Sequence, residues 1–210
     1  IFTVDIQPFG TTTIRVNGEA SAYVVDGSIT IRPNIYYISS SFGTIGSSVE
    51  IRGNGYGSSE VVDVDFGALS AGDTGTTGAN FDGVFSYTFT VLTQPATVTI
   101  TAKGLTTGTS ATTIYRITSK ITLISPTSGT VGSTVTVQGE GFGASEYVQI
   151  SMSDLSLGLS GSNVRWATAT TNESGGTFSI TFTVNEQSYG TKSIAARGVA
   201  SLKYADGIFS

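Results

Sequence analysis

The 210-residue sequence contains no cysteine and no histidine. Without cysteine there is no disulfide framework and no thiolate metal site. Without histidine every Ser-His-Asp, Cys-His and histidine–metal constellation is excluded, and paired carboxylates are the one catalytic chemistry left open. Charge is sparse as well. Charged residues make up 12% of the chain, with ten basic residues scattered against fifteen acidic ones for a net charge of −5. Binding to nucleic acid draws most of its affinity from clustered Lys and Arg, so this balance argues against a nucleic-acid partner. No apolar run approaches the roughly 18–20 residues that a membrane-crossing helix needs, so no membrane span is expected in this segment. No signal peptide opens the sequence, and its first residue is Ile1 rather than Met, which points to a processed or excised segment. The lack of disulfides leaves the compartment open, since a domain of more than about 80 residues can bury a sufficient core of its own.

What the chain has is glycine, 27 residues of it, with Ser and Thr supplying most of the polar surface, the profile of exposed β-strands. Val135-Thr136-Val137 alternates apolar with polar at period two, as a half-buried strand does. Gly139-Glu140-Gly141 interrupts, Phe142 follows as a plug, and Tyr147-Val148-Gln149-Ile150 resumes the alternation. The same order is written once before, at an offset of 86, which maps Val135 to Val49, Val137 to Ile51, Phe142 to Tyr56, Glu146 to Glu60, and Gly139 and Gly141 to Gly53 and Gly55. Further on, Phe85–Val91 matches Phe178–Val184 at an offset of 93, so the second copy is seven residues longer, an excess expected near 154–161. Both blocks place aromatic and aliphatic residues on one face and hydroxyls on the other. A core shared by both copies is expected from Val49/Val135, Ile51/Val137, Val64/Ile150, Phe89/Phe182 and Ile100/Ile194. About seven strands per copy suit a two-sheet sandwich.

The first 32 residues repeat the end of the pattern. At an offset of 180, Phe9-Gly10-Thr11 falls on Tyr189-Gly190-Thr191 and Gly18 on Gly198, with Phe2 and Val4 on Phe182 and Val184. Residues 1–32 are therefore expected to hold the closing three strands of another copy, with Phe2, Val4, Ile14 and Val16 at core positions. The missing strands would lie upstream in the same polypeptide or come from a neighbouring subunit. The fold class expected is all-β: tandem immunoglobulin-like sandwiches at 33–118 and 119–210, preceded by a partial one at 1–32. The connectors Arg32-Pro33-Asn34 and Thr118-Ser119-Lys120 are short, and the φ-locked proline makes the first stiff rather than flexible.

The stretch Pro126–Phe142, P-x-S-G-x-x-G-[ST]-x-V-x-[IV]-x-G-x-G-[FY], resembles the opening half of an IPT/TIG-type immunoglobulin-like repeat; in the first copy Ser40 stands where the proline would be. The resemblance implies a β-sandwich module used in large extracellular proteins, in some transcription factors and as an appendage of polysaccharide enzymes. It carries over no catalytic residues. The charge balance argues against the transcription-factor branch.

Candidate sites are few. Asp63 and Asp65 share one face of a strand, roughly 6–7 Å apart; solvated surface carboxylates are the plain reading and a calcium site with Glu60 or Asp82 the alternative, since Ca²⁺ takes several oxygen ligands. The second copy has Gln149 and Ser151 at those positions. Gly53-Asn54-Gly55 and Gly139-Glu140-Gly141 precede no helix, so they are read as turn glycines and not as a phosphate loop. Trp166, Tyr36, Tyr37, Tyr147 and Tyr189 are assigned to core or inter-domain packing, with a sugar-stacking platform as the rival use. Asn172-Glu173-Ser174 is the one N-x-[ST] sequon, a glycosylation candidate if the protein is secreted.

The function expected is structural and not enzymatic: a repeat segment of an extracellular, cell-surface assembly such as a surface-layer protein, stalk or filament, with neighbouring copies of itself as partners. The rivals are an adhesin or carbohydrate-binding array, with surface glycans as partners, and a non-catalytic spacer of a polysaccharide-active enzyme. No cofactor is expected beyond the calcium alternative.

Overall fold

A computed structural model describes residues 3–67, 75–154 and 165–210. Among these residues every regular element is a strand, and no helix is long and apolar enough to cross a membrane. The chain forms two compact units. The first comprises Ile1–Ser41, Ser48–Thr90 and Thr99–Tyr115; the second comprises Phe42–Ser47, Val91–Val98 and Arg116–Ser210.

The second unit shows most plainly how the alternating pattern becomes a sandwich. β11 (Lys120–Ser125), β12 (Thr134–Glu140) and β15 (Phe178–Thr183) make a three-stranded sheet in the order β11-β12-β15. β13 (Tyr147–Asp154), β14 (Arg165–Thr170), β16 (Lys192–Gly198) and β17 (Tyr204–Phe209) make a four-stranded sheet in the order β14-β13-β16-β17. Period-two side chains put Val135, Val137, Phe178 and Phe182 of the first sheet against Val148, Ile150, Met152, Ile194, Ala196, Ala205 and Phe209 of the second in one buried cluster. The opposite face of β12 and β15 is wet: Thr136 and Thr181 pair directly across the ladder, their hydroxyls 3.0 Å apart and exposed.

In the first unit β3 (Asn34–Ile38), β5 (Ser48–Asn54) and β8 (Phe85–Thr90) form the corresponding sheet in the order β3-β5-β8. A second sheet runs β10-β9-β6-β7, from β6 (Val61–Phe66), β7 (Gly75–Gly78), β9 (Thr97–Gly104) and β10 (Ser110–Ile117); β4 (Phe42–Gly43) pairs with Arg116 and Ile117 at the end of β10, residues that belong to the second unit. Ile51, Tyr56, Val62, Val64, Phe66, Ile100 and Tyr115 are among the fully buried side chains of the first unit. All ten residues of the expected shared core are buried, Phe182 being the most accessible at 8%. The expected insertion at 154–161 lies almost wholly outside the described residues.

Two expectations are corrected. Among the described residues of 1–32 there are two strands, β1 (Gly10–Asn17) and β2 (Val24–Ile31), which form an antiparallel hairpin, and the core positions expected at Val4 and Val16 are not buried. The third expected strand is the counterpart of β15, which the offset of 180 carries no further than residue 3, and residues 1 and 2 lie outside the described residues. Residues 3–8 fall on 183–188, a stretch that is irregular in the second copy too after Thr183. Phe2 lies outside the described residues, Ile14 is half-buried, and Val4 and Val16 are exposed. The second correction concerns Gly53 and Gly139, which are strand residues, not turn residues. A Cβ on Gly139 would stand 2.5 Å from Phe178 Cε1, and one on Gly53 2.3 Å from Phe85 Cε1. Each glycine is a slot into which the ring of the neighbouring strand drops. The ring then meets the plug edge-on, Phe85 with Tyr56 at 5.1 Å and Phe178 with Phe142 at 5.4 Å between centroids. The bend itself falls at Gly55 and Gly141, whose φ values of 74° and 76° are left-handed.

Candidate functional site

The most constrained polar feature of each unit is a buried glutamate placed just ahead of β6 or β13. Glu60 and Glu146 are each 5% exposed. The Glu146 carboxylate accepts hydrogen bonds from Gly143 N at 2.5 Å, Ala200 N at 2.9 Å, Ser201 N at 2.8 Å and Ser201 Oγ at 2.6 Å. Glu60 accepts from Gly57 N, Thr106 N at 3.2 Å, Thr107 N at 3.1 Å and Thr107 Oγ1 at 3.2 Å. Four donors fill the roughly four lone-pair sites of a carboxylate. Burial pushes the Glu146 carboxyl up, but the Ser201 hydroxyl and the Ser201, Gly143 and Ala200 amides outweigh it and hold the group below its ordinary range. The chain makes room with glycine: a Cβ at Gly198 would lie 2.5 Å from Glu146 Oε1, and one at Gly104 2.3 Å from Glu60 Oε1. Each glutamate thus staples the start of one strand to the turn of the β9–β10 or β16–β17 hairpin.

Of the calcium candidates, Glu60 does not join Asp63 and Asp65. Asp63 and Asp65 do share a face of β6, half-exposed opposite Lys103 and Thr101 of β9. Glu60 points instead into the hairpin turn, where its acceptor sites are taken. Among the described residues no three acidic side chains converge as a cation site.

Asn172 is exposed in the turn before β15, and its side-chain oxygen accepts from Gly175 N and Thr177 N, both at 3.0 Å. Asn80, which begins no sequon, does the same for Asp82 N and Val84 N ahead of β8. The asparagine therefore has a turn-forming use shared by both copies. The aromatic residues are not core: Tyr36, Tyr37, Tyr147 and Tyr189 are all exposed. Tyr37 carries the Arg52 guanidinium over its ring at 4.8 Å, and nothing is described of the Trp166 side chain. The core assignment failed because each of these rings lies at a strand end, on an outward pleat or in a loop. Tyr189, in the loop before β16, lines a cleft with Val131, Val184, Lys192 and Phe209.

Each unit also contains the same seam. In the first, Phe9 N donates to Tyr56 O at 2.7 Å, and the position of a Cβ on Gly55 falls 2.3 Å from Arg32 O. In the second, Ala96 N donates to Phe142 O at 3.0 Å, and a Cβ on Gly141 would fall 2.7 Å from Thr118 O. The connector residues are built into the fold: Ser119 Oγ donates to Tyr204 O at 2.7 Å, and Lys203 Nζ donates to Ile117 O.

Residues 119–195 match the family model described as IPT/TIG domain. The second sandwich is an IPT/TIG domain. The first repeats its glycine–aromatic plug, its buried glutamate and its asparagine turn, so the chain carries tandem IPT/TIG-type, immunoglobulin-like sandwiches. No curated protein matches the chain. Among solved structures it is similar to a "Biofilm associated protein - BSP domain", at 14% identity and a TM-score of 0.28 over 85% of this chain and 28% of that one. It is similar to SGBP-B from a complex xyloglucan utilization locus in Bacteroides uniformis, at 22% identity and a TM-score of 0.29 over 83% and 48%. It is also similar to an Escherichia coli alpha-2-macroglobulin activated by porcine elastase, at 11% identity and a TM-score of 0.33 over 96% and 24%. The chain spans less than half the length of each of these three.

Proposed function

We propose that the chain is a structural repeat segment of an extracellular, cell-surface assembly, such as a surface-layer protein, a stalk or a filament, with neighbouring repeats of the same kind as its partners. The observation that carries this reading is the recurrence of one seam in both units, an amide on the plug carbonyl of Tyr56 or Phe142 and a connector carbonyl against Gly55 or Gly141. A seam that repeats with equivalent atoms lets modules be added by one rule, which is how repeat arrays extend. The described polar groups support the same reading: both buried glutamates are spent on turns, and the outward faces of β8 and β15 carry Ser and Thr. Such faces accept glycosylation and stay soluble with little charge.

Immunogold labelling of intact native cells with an antibody against the second sandwich tests the proposal. Label on the outer surface, and on isolated envelope lattice or filaments, is the expected result. Label confined to the cell interior overturns it. Binding to a purified polysaccharide that is lost in Tyr147→Ala would move the reading to an adhesin.

A further inference from the structure

Three hairpins in this chain share one turn. Gly18, Gly104 and Gly198 each donate a backbone bond of 2.9 Å across the turn, to Tyr23 O, Thr109 O and Lys203 O. A hydroxyl inside each turn accepts from the amide two residues on: Ser21 Oγ from Tyr23 N at 3.4 Å, Thr107 Oγ1 from Thr109 N at 3.4 Å, and Ser201 Oγ from Lys203 N at 3.3 Å. The residue after it is left-handed in all three, with φ of 55° at Ala22, 69° at Gly108 and 58° at Leu202.

The surroundings differ in one respect. Around the second and third turns a glutamate binds the two amides, Thr106 and Thr107 or Ala200 and Ser201. The strand that follows that glutamate then ladders along the hairpin, β6 on β9 from Val62 opposite Gly104, and β13 on β16 from Val148 opposite Gly198. Around the first turn the equivalent amides are Ala20 and Ser21. Among the described residues no carboxylate reaches them, and β1 ladders with β2 alone. Val16, Tyr23, Val24 and Val25 stand exposed on this hairpin at 54–78%. The turn is folded as if clamped, and Val16, 63% exposed on β1, stands where its counterpart Ala196 is fully buried beside β13.

We propose that the open edge of β1 and its turn form a docking site for one kind of segment: Gly-[Phe/Tyr]-Gly-x-x-Glu followed by a strand with alternating apolar residues, supplied by a further repeat of this type. The glutamate caps the Ala20 and Ser21 amides, and the strand adds to β1 antiparallel. The β13–β16 ladder, carried over at the offset of 180, sets the register: Val148 opposite Gly18, Ile150 opposite Val16 and Met152 opposite Ile14. This inference rests on the repeat reading above, but surface labelling and strand docking fail separately, because one reads location and the other occupancy of a single edge.

The test has two arms on the 210-residue chain. In one, a peptide of residues 141–152, GFGASEYVQISM, is titrated and amide shifts are followed by NMR. In the other, the same segment is joined ahead of residue 1 by a flexible linker, which raises its effective concentration, and hydrogen exchange is measured. The expected result is protection of alternate amides from Thr12 to Gly18 together with Ala20 and Ser21. Binding is expected to weaken about tenfold or more when the segment carries Glu146→Gln, since bonds to a charged acceptor exceed neutral ones. Binding in both arms assigns the strand to a neighbouring molecule, and protection in the tethered arm alone assigns it to the same polypeptide. No protection in the tethered chain overturns the proposal, and so does equal binding by the Gln segment.

Discussion

Ser201 gives the Glu146 carboxylate both its hydroxyl, at 2.6 Å, and its amide, at 2.8 Å, across 55 residues of sequence. The pair joins the start of β13 to the turn between β16 and β17, so two strands neighbouring in the sheet are also tied at one end. Charged acceptors bind amides more strongly than neutral ones, and a buried carboxylate persists only if its partners meet its desolvation cost. Glu146 meets that condition with four donors.

The clamp makes stability depend on pH. The folded Glu146 carboxyl titrates below its ordinary value of 4.5, so the native state binds fewer protons than the unfolded chain as pH falls toward that range. Its contribution is complete above the unfolded pKa and is lost as pH drops through the lowered folded value. Glu146→Gln keeps the shape and removes the charge. Denaturant melts from pH 7 to pH 3 are expected to show wild type more stable at neutral pH, with the gap closing below about pH 4. A gap that stays constant across that range would assign the loss to packing. Glu146→Ala, which leaves amides without an acceptor, is expected to cost about 3 kcal/mol or more at neutral pH.

The facing of β15 can be checked by comparing neighbours. Phe182 belongs to the buried cluster, whereas Thr181 faces out and meets the Thr136 hydroxyl. Phe182→Ala is expected to cost about 3–5 kcal/mol and Thr181→Ala less than about 1 kcal/mol. The order of the two losses in chemical unfolding is the readout, and the same order is expected for Phe89 and Thr88 in the first unit.

Gly139 tests the ring slot. Its added Cβ would press on Phe178 Cε1 at 2.5 Å and on Lys120 O at 3.1 Å, so Gly139→Ala is expected to cost about 1–3 kcal/mol as an overpacking change. If the ring is the obstacle, Phe178→Leu in the same chain returns part of that loss, and a double-mutant cycle shows a coupling of about 0.5 kcal/mol or more. Simple additivity would place the strain on the β11 backbone instead.

The repeat was the legible part of this sequence. Offsets of 86, 93 and 94 along two copies carried the core assignment, because a period-two pattern fixes which face is buried without knowledge of the partner sheet. What escaped depends on contacts distant in sequence. Gly53 and Gly139 sit in a turn-like G-x-G pattern, yet whether such a glycine bends the chain or admits a ring is decided by Phe85 or Phe178, 32 or 39 residues on. Glu60 and Glu146 were matched as equivalents, but Asp63 and Asp65 nearby drew Glu60 toward a cation reading. The signal for the clamp was present as a Gly-x-x-Glu in both copies with a Thr or Ser turn 47 or 55 residues later. The exposed tyrosines were misplaced because aromatic residues favour both cores and exposed strand positions, and composition does not separate the two.

Asn172 separates a turn from a modification site. Its side-chain oxygen accepts from Gly175 N and Thr177 N, and aspartate supplies the same oxygen while removing the amide nitrogen that a glycan needs. Asn172→Asp is therefore expected to melt within about 0.5 kcal/mol of the unmodified wild type, and Asn172→Ala to lose about 1 kcal/mol. Asn80→Asp and Asn80→Ala are expected to behave alike in the first unit, where no sequon is present to confuse the comparison. Intact mass of protein purified from its native source then reads modification directly. A hexose-containing mass shift on wild type that Asn172→Asp abolishes assigns the glycan to this turn. An unshifted mass leaves Asn172 with the turn alone, and the serine and threonine faces of β8 and β15 as the remaining surface chemistry.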